Sequence, residues 1–199
     1  MIYVYTDGAC TNNGRKNAAA GIGIYFGDDD QRNVSAKIDG KQSNNTAELS
    51  AIIRTYEILK NDIEMGKEVT IVSDSIYAIR CAGEYGFKNA NCNWVKDIPN
   101  KELVRQIYEL YSAQPNVNFM HIKAHTAKQD VHSIGNDHAD RLANMAIGVS
   151  ECPYDTKSRI YLNVPFAEKE NAKMHGAKWD SKKKKWWVTD LKSELKIYV

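Results

Sequence analysis

Residues 2–26 read IYVYTDGACTNNGRKNAAAGIGIYF. Two runs rich in β-branched, aromatic and small apolar residues, 2–6 and 20–26, flank the Gly/Asn-rich connection TNNGRKN, a pattern that predicts two strands joined by a turn. After the acidic turn GDDDQ (27–31), NVSAKI (33–38) makes a third strand, so the first forty residues read as an antiparallel meander. Asp7 stands inside the first run. An ionised carboxylate in a core is costly unless it is paired, hydrogen-bonded or on a metal. Asp-Gly is also a common turn dipeptide, and on these residues alone both readings stay open.

Beyond the meander the period changes. In NNTAELSAIIRTYEILKND (44–62), Leu49, Ile52, Ile53, Tyr56 and Leu59 fall at helical spacing behind an Asn/Thr start. EVTIVSD (68–74) is short and nearly all apolar, as in a strand covered on both faces. It leads into a helical stretch, SIYAIRCAG (75–83). NKELVRQIYELYSA (100–113) predicts a helix, VNFMHIKAH (117–125) a strand, and GNDHADRLANMAIG (135–148) a last helix closed by Gly148. Three strands followed by alternating helix and strand give an α/β class, a mixed sheet with helices on its faces. Residues 149–157 have the polar and Pro content of a linker. The tail, 158–199, reads as a small α+β domain: a strand (RIYLNV, 159–164), a helix (PFAEKENAKMHG, 165–176) and a hairpin (AKWDSKKKKWWV, 177–188).

Composition narrows the classes. At 199 residues with 43% apolar and 26% charged residues, the chain has the make-up of a soluble globular protein. No stretch approaches the ~20 apolar residues of a membrane span. The opening residues lack the basic and apolar regions of a signal peptide, so the expectation is an intracellular protein, cytoplasmic or nuclear, not secreted and without a membrane partner. Four scattered cysteines without a C-x-x-C pair are expected to be reduced thiols. The net charge of +2 is uneven: residues 1–156 carry 16 Lys/Arg against 20 Asp/Glu (−4), and residues 157–199 carry 11 against 5 (+6). A basic tail on an acidic body points to a polyanionic partner, its plain alternative being a solvated lysine face.

Four acids fall at revealing places: Asp7 in the first strand, Glu48 in the expected first turn of the first helix, Asp74 at the end of TIVSD, and Asp140 in the last helix. Each has an ordinary explanation. Glu48 suits a helix N-terminus, Asp74 an N-cap and Asp140 a local pair. Strands of such a sheet end at a shared edge where ligands collect, and together the four would form a hard-oxygen site for Mg²⁺ or Mn²⁺.

Five motifs in order, YTDGAC, NNTAELSAI, IVSDS, IKAHT and GNDHADRLA, resemble those of ribonuclease H of type 1, over residues 1–148. The resemblance implies a ribonuclease-H-like fold with a mixed five-stranded sheet flanked by helices. It implies an endonuclease that hydrolyses the RNA strand of RNA/DNA hybrids, leaving 5′-phosphate and 3′-hydroxyl ends. By it, Asp7, Glu48, Asp74 and Asp140 would hold two Mg²⁺ ions, Mn²⁺ being an alternative, with Asp7 bridging them. Two ions about 4 Å apart can activate water and stabilise the leaving oxygen across one phosphate. His125 matches the family histidine that assists proton transfer or product release, which suits an imidazole titrating near neutrality. Asn136, Asn12, Asn44, Asn45, Gly8 and Gly14 fall where the family meets the hybrid. Amides can recognise a ribose 2′-hydroxyl and glycines permit close backbone approach; turn chemistry is the alternative for Asn12 and Gly14. The expected state is a monomer.

Two features depart from the pattern. TAKQDVHSIG (126–135), between His125 and Asn136, reads as a longer loop than many members carry. GEYGFKNANCNWVKDIPNK (83–101) replaces the basic handle with which some members grip DNA, offering mainly Lys88, Lys96 and Lys101 around Trp94. The tail resembles a small uncharacterised domain of the pattern YLNVPF…GAKWD…KKWWV, found fused to nucleic-acid enzymes. Its Lys178, Lys182, Lys183, Lys184, Lys185 and Trp186 are candidate nucleic-acid contacts, lysines for phosphates and aromatic faces for bases. A non-catalytic hybrid or double-stranded RNA binding module of the same fold is the alternative to an enzyme; retention of all four acids argues against it.

Overall fold

A computed structural model describes residues 1–123, 130–149, 160–180, 183–188 and 191–198. The chain divides into two compact units, Met1–Pro153 and Tyr154–Val199.

In the first unit, the opening hairpin forms as its sequence predicts, but its first strand runs further. β1 spans Ile2–Thr11, β2 Ala19–Tyr25 and β3 Val34–Lys37. Asp7 is therefore not a turn residue; it pairs across the ladder with Gly23. The turn comes five residues later, where Asn12 and Gly14 take positive φ angles of 51° and 80°. α1 spans Asn44–Glu64, capped by Ser43, whose hydroxyl accepts from the Thr46 N–H while the Thr46 hydroxyl accepts from the Ser43 N–H. β4 (Val69–Ser73) is buried at every residue, as its unbroken apolar run requires. α2 (Ile76–Ala82) and α3 (Glu84–Ala90) follow, then α4 (Lys101–Tyr111), β5 (Val117–His121) and α5 (Val131–Ala146).

The sheet order is β3-β2-β1-β4-β5, antiparallel across the meander and parallel from β1 through β4 to β5. Strand alternation sorts the two faces. Val4 and Ile71 pack with Leu49, Ile52, Val104 and Ile107, residues of α1 and α4, in the larger core. Tyr5 and Val72 face the other way, towards Ala139 of α5. α5 lies unusually close to the sheet, because β2 presents Gly21 and Gly23 and the helix presents Ala139, Ala143 and Ala146 against them.

The sequence reading is corrected at two helices. α5 starts at Val131 behind Asp130, whose carboxylate accepts from the N–H groups of His132 and Ser133. VHSIG is thus helix rather than the second half of a long loop. In the handle region, Tyr85, Asn89 and Ala90 belong to the short helix α3, which the sequence reading left unassigned, and Trp94 packs against the core with Tyr108 at 6.4 Å.

The second unit has a three-stranded antiparallel sheet of order β6-β8-β7, from β6 (Ile160–Leu162), β7 (Lys178–Asp180) and β8 (Lys185–Val188). A 3₁₀ turn (Phe166–Glu168) runs into α6 (Lys169–Met174), and a second 3₁₀ helix (Ser193–Tyr198), not foreseen from sequence, closes the core around Leu162, Ala172, Val188 and Leu195. No helix among the described residues is long and apolar enough to cross a membrane.

Candidate active site

Asp7, Glu48 and Asp74 reach one point from three elements: each offers a carboxylate oxygen, and these atoms lie within 4.8 Å of one another. Fold geometry explains the convergence. Strand alternation puts Asp7 on the α5 side and Gly8 on the α1 side. A Cβ on Gly8 would lie 2.4 Å from the Glu48 nitrogen and 2.7 Å from the Ala47 carbonyl carbon. Gly8 therefore lets the α1 backbone rest directly on β1, which carries Glu48 to Asp7. The freedom that glycine gives here serves close approach of protein to protein.

The ordinary explanations for these acids fall away one at a time. Glu48 lies in the second turn of α1, not the first, so it does not serve the helix N-terminus. Asp74 does not cap α2; Ser75 does, its hydroxyl accepting from the Ala78 N–H. Asp140 lies outside the 4.8 Å group, yet its charge acts on both Asp7 and Glu48. Asn144, one turn on, donates to Asp140 Oδ1 at 2.8 Å and fixes its orientation. Asn136, only 2% exposed, directs Nδ2 to Asp74 Oδ2 at 3.5 Å.

The electrostatics of this cluster are unfavourable as it stands. Asp7 is held well above the usual carboxylate range by burial first, then by Glu48, Asp74 and Asp140; the Gly8 N–H donating to Oδ1 at 2.7 Å offsets this only in part. Glu48 is pushed up to about 8 by burial and then by the charge of Asp74. Glu48 Oε2 and Asn136 Oδ1 are buried and accept no hydrogen bond among the described residues. Crowded hard-oxygen donors with an unused acceptor fit a divalent cation of the Mg²⁺ class, which supplies the charge the cluster lacks.

A pH dependence follows. Carboxyls whose folded pKa lies above the unfolded one stabilise the fold fully below the unfolded value, and that stability is lost as pH rises through the folded value. For Glu48 the window runs from 4.5 to about 8. Melting in chelator should fall across it, at a limiting slope of about 1.4 kcal/mol per pH unit for one proton. Glu48→Gln should be the flatter curve. Parallel curves for the two proteins would exclude the crowded site.

The sequence of residues 1–148 matches the family model "RNase H". This chain belongs to the ribonuclease H family. Residues 159–196 match a second model, a domain of unknown function, DUF5710. The ribonuclease H of Schizosaccharomyces pombe is 38% identical over 156 residues, covering 74% of this chain and 53% of that protein. Ribonuclease H1 of Mus musculus is 32% identical over 163 residues, covering 75% and 51%. The chain thus spans about half the length of these curated relatives. Among solved structures, the PFV RNase H domain aligns with a TM-score of 0.57 at 22% identity, over 74% of this chain and 94% of that one, and shares the fold.

Other candidate residues of the ribonuclease H unit fall into three groups. Asn12 and Gly14 are exposed in the β1–β2 turn, and a Cβ on Gly14 would meet nothing within 4 Å. Asn44 and Asn45 are exposed in the first turn of α1. His125 lies outside the described residues, as do Lys182 and residues 150–157 of the expected linker. In the second unit, Lys184, Lys185 and Trp186 line one cleft. Lys178 stands over Trp187 and Lys183 over Tyr161, two rings that pair across the opposite sheet face. Sequence reasoning missed Asn144 and the Gly21/Gly23 seat of α5. The i, i+4 pairing of Asp140 with Asn144 and the alternate glycines of GIGIYF were the available signals.

Proposed function

We propose that residues 1–148 form an endonuclease that hydrolyses the RNA strand of RNA/DNA hybrids, leaving 5′-phosphate and 3′-hydroxyl ends. Asp7, Glu48, Asp74 and Asp140 would hold two divalent ions, Mg²⁺ or Mn²⁺. The observation that carries this reading is the convergence of Asp7, Glu48 and Asp74 within 4.8 Å, with the Glu48 Oε2 acceptor unused. Burial and mutual charge push the Asp7 and Glu48 carboxyls up, a cost that bound cations would offset.

Bound ions would supply a hydroxide at neutral pH and charge stabilisation for the leaving oxygen. The protein's own part is positional. Gly8 and the Gly23 seat hold the backbones that carry the acids, Asn136 orients Asp74, and Asn144 orients Asp140. Asn12, Asn44 and Asn45 present amides to solvent, donors and acceptors suited to the 2′-hydroxyls that distinguish RNA. His125 would carry protons at neutral pH. Such hybrids arise where nucleic acids are copied, so an intracellular monomer is part of the proposal.

The test is cleavage of an end-labelled hybrid in Mg²⁺, beside single-stranded RNA, duplex RNA and duplex DNA. The expected result is cutting of the hybrid alone, lost in Asp74→Asn. Tight hybrid binding with no cleavage in Mg²⁺ or Mn²⁺ would overturn the enzyme reading in favour of a binding module. Cleavage that persists in Asp74→Asn would overturn the site.

A further inference from the structure

The second unit carries a cleft of about 790 Å³ whose chemistry the ribonuclease site does not use. Its floor is Leu162, Val164 and Trp186, the last packed against the core. Trp179 pairs with Trp186 across β7 and β8, the rings 5.4 Å apart and tilted by 59°. Core packing accounts for Trp186 but not for Trp179, which is 51% exposed, nor for Phe166, which is 82% exposed at the same cleft. A unit of this size gains stability by burying every large ring it can, so two open rings at one cleft need another reason.

Charge supplies it. Lys169, Lys173, Lys184 and Lys185 line the cleft, and no carboxylate lines it among the described residues. Lys173 is shared with Glu170 at 2.9 Å and Lys185 reaches Asn163 Oδ1 at 3.3 Å; Lys169 stands 4.0 Å over the Phe166 ring. A concave site with open aromatic faces and an ammonium rim is complementary to a phosphodiester chain with accessible base faces. Base faces are hidden inside a duplex and open in a single strand, and every base has a face to stack. We propose that this cleft binds single-stranded nucleic acid, with an unpaired base stacked on Trp179 and Phe166 and the adjacent phosphates against Lys169 and Lys184. Lys178, a further candidate contact in the tail, stands over Trp187 on the opposite sheet face and is not part of this cleft.

Binding is measured on the full chain in chelator, which withholds divalent ions and so prevents hydrolysis, by anisotropy of fluorescein-labelled 12-nucleotide DNA and RNA strands. Stacking is worth about 1–3 kcal/mol per base, so Trp179→Ala should weaken binding roughly 5- to 150-fold. Trp179→Phe should restore most of it. Phe166→Ala, at a residue too exposed to support the core, should weaken binding in the same sense. Lys169→Ala with Lys184→Ala should flatten the log–log salt slope by about 1.4, two phosphates at ~0.7 each. A blunt 16-base-pair DNA duplex should not distinguish Trp179→Ala from the parent. The tighter of the DNA and RNA arms names the strand. Unchanged single-strand affinity in Trp179→Ala and Phe166→Ala would overturn the proposal. So would an equal loss on the blunt duplex, or Trp179-dependent binding to phosphatidylserine vesicles in place of either strand.

Discussion

Asp7→Asn is expected to cut the hybrid at least a thousand-fold more slowly than the parent in Mg²⁺ and, in chelator at pH 8, to melt higher. The two effects have one cause. Asp7 is buried on β1 with the carboxylates of Glu48 and Asp74 within 4.8 Å, and burial with those charges raises its pKa well above the normal range. An amide has nearly the same shape and its oxygen can still accept the Gly8 N–H, so the substitution removes a charge and little else. Relief of even one pKa unit of strain is about 1.4 kcal/mol, which for a unit of this size raises Tm by roughly 3–5 °C. Metal charge stabilisation is worth several kcal/mol, and about 4 kcal/mol is a thousandfold in rate. A destabilised but active Asp7→Asn would refute the reading; so would a protein that loses both. In saturating Mg²⁺ the stability order should reverse, because the ion binds the parent folded state more tightly.

Much of this site was legible in the sequence, and the reason is its chemistry. A carboxylate inside an apolar strand has few explanations, and Asp7 kept two until β1 was seen to continue past it to Thr11. For Glu48 the local alternative was a charge at the helix N-terminus, which its place in the second turn of α1 removes. For Asp74 it was an N-cap, which the structure gives to its neighbour Ser75, an equally good cap on sequence alone. The start of α5 differs from the sequence reading because its two apolar residues, Val131 and Ile134 at i, i+3, are exposed and too few to mark a helix, and its cap, Asp130, lies five residues before the recognisable GNDHAD. Tertiary contact stabilises the first two turns: His132 Nδ1 lies 3.3 Å from the Tyr5 hydroxyl, and Gly135 sits on the Tyr5 ring, 2.5 Å from where a Cβ would stand. The closeness of α5 to β2 was not readable either, since glycine in a strand signals a bulge as readily as a close approach.

Gly23→Ala is the severest single change expected outside the carboxylates. A Cβ there would lie 1.9 Å from the Ala139 carbonyl oxygen and 2.6 Å from the Ala143 nitrogen. Both are backbone atoms of α5, so no rotamer change relieves the collision and the helix must lift. Overpacking of a tight core costs about 1–3 kcal/mol, and a backbone collision belongs at or above that limit; at ~2–4 °C per kcal/mol the unit should melt roughly 6–12 °C lower. Catalysis should suffer beyond stability. Gly23 is the cross-strand partner of Asp7, Asp140 follows Ala139 directly, and Asn136, which meets Asp74, lies one turn before it. A helix displaced by about 1 Å carries both away from the cluster, an error worth about a hundredfold in rate even at a temperature where the protein is folded. Gly66→Ala is the control: its φ of +75° strains an alanine by about 1 kcal/mol, but nothing lies within 4 Å and α5 stays in place. It should lower Tm slightly and leave the rate per folded molecule intact. Because the obstacle at Gly23 is a carbonyl and not a side chain, Ala139→Gly should not rescue Gly23→Ala. Rescue, or a Gly23→Ala protein with the parent's rate and melting point, would mean that α5 does not rest on β2 at this glycine.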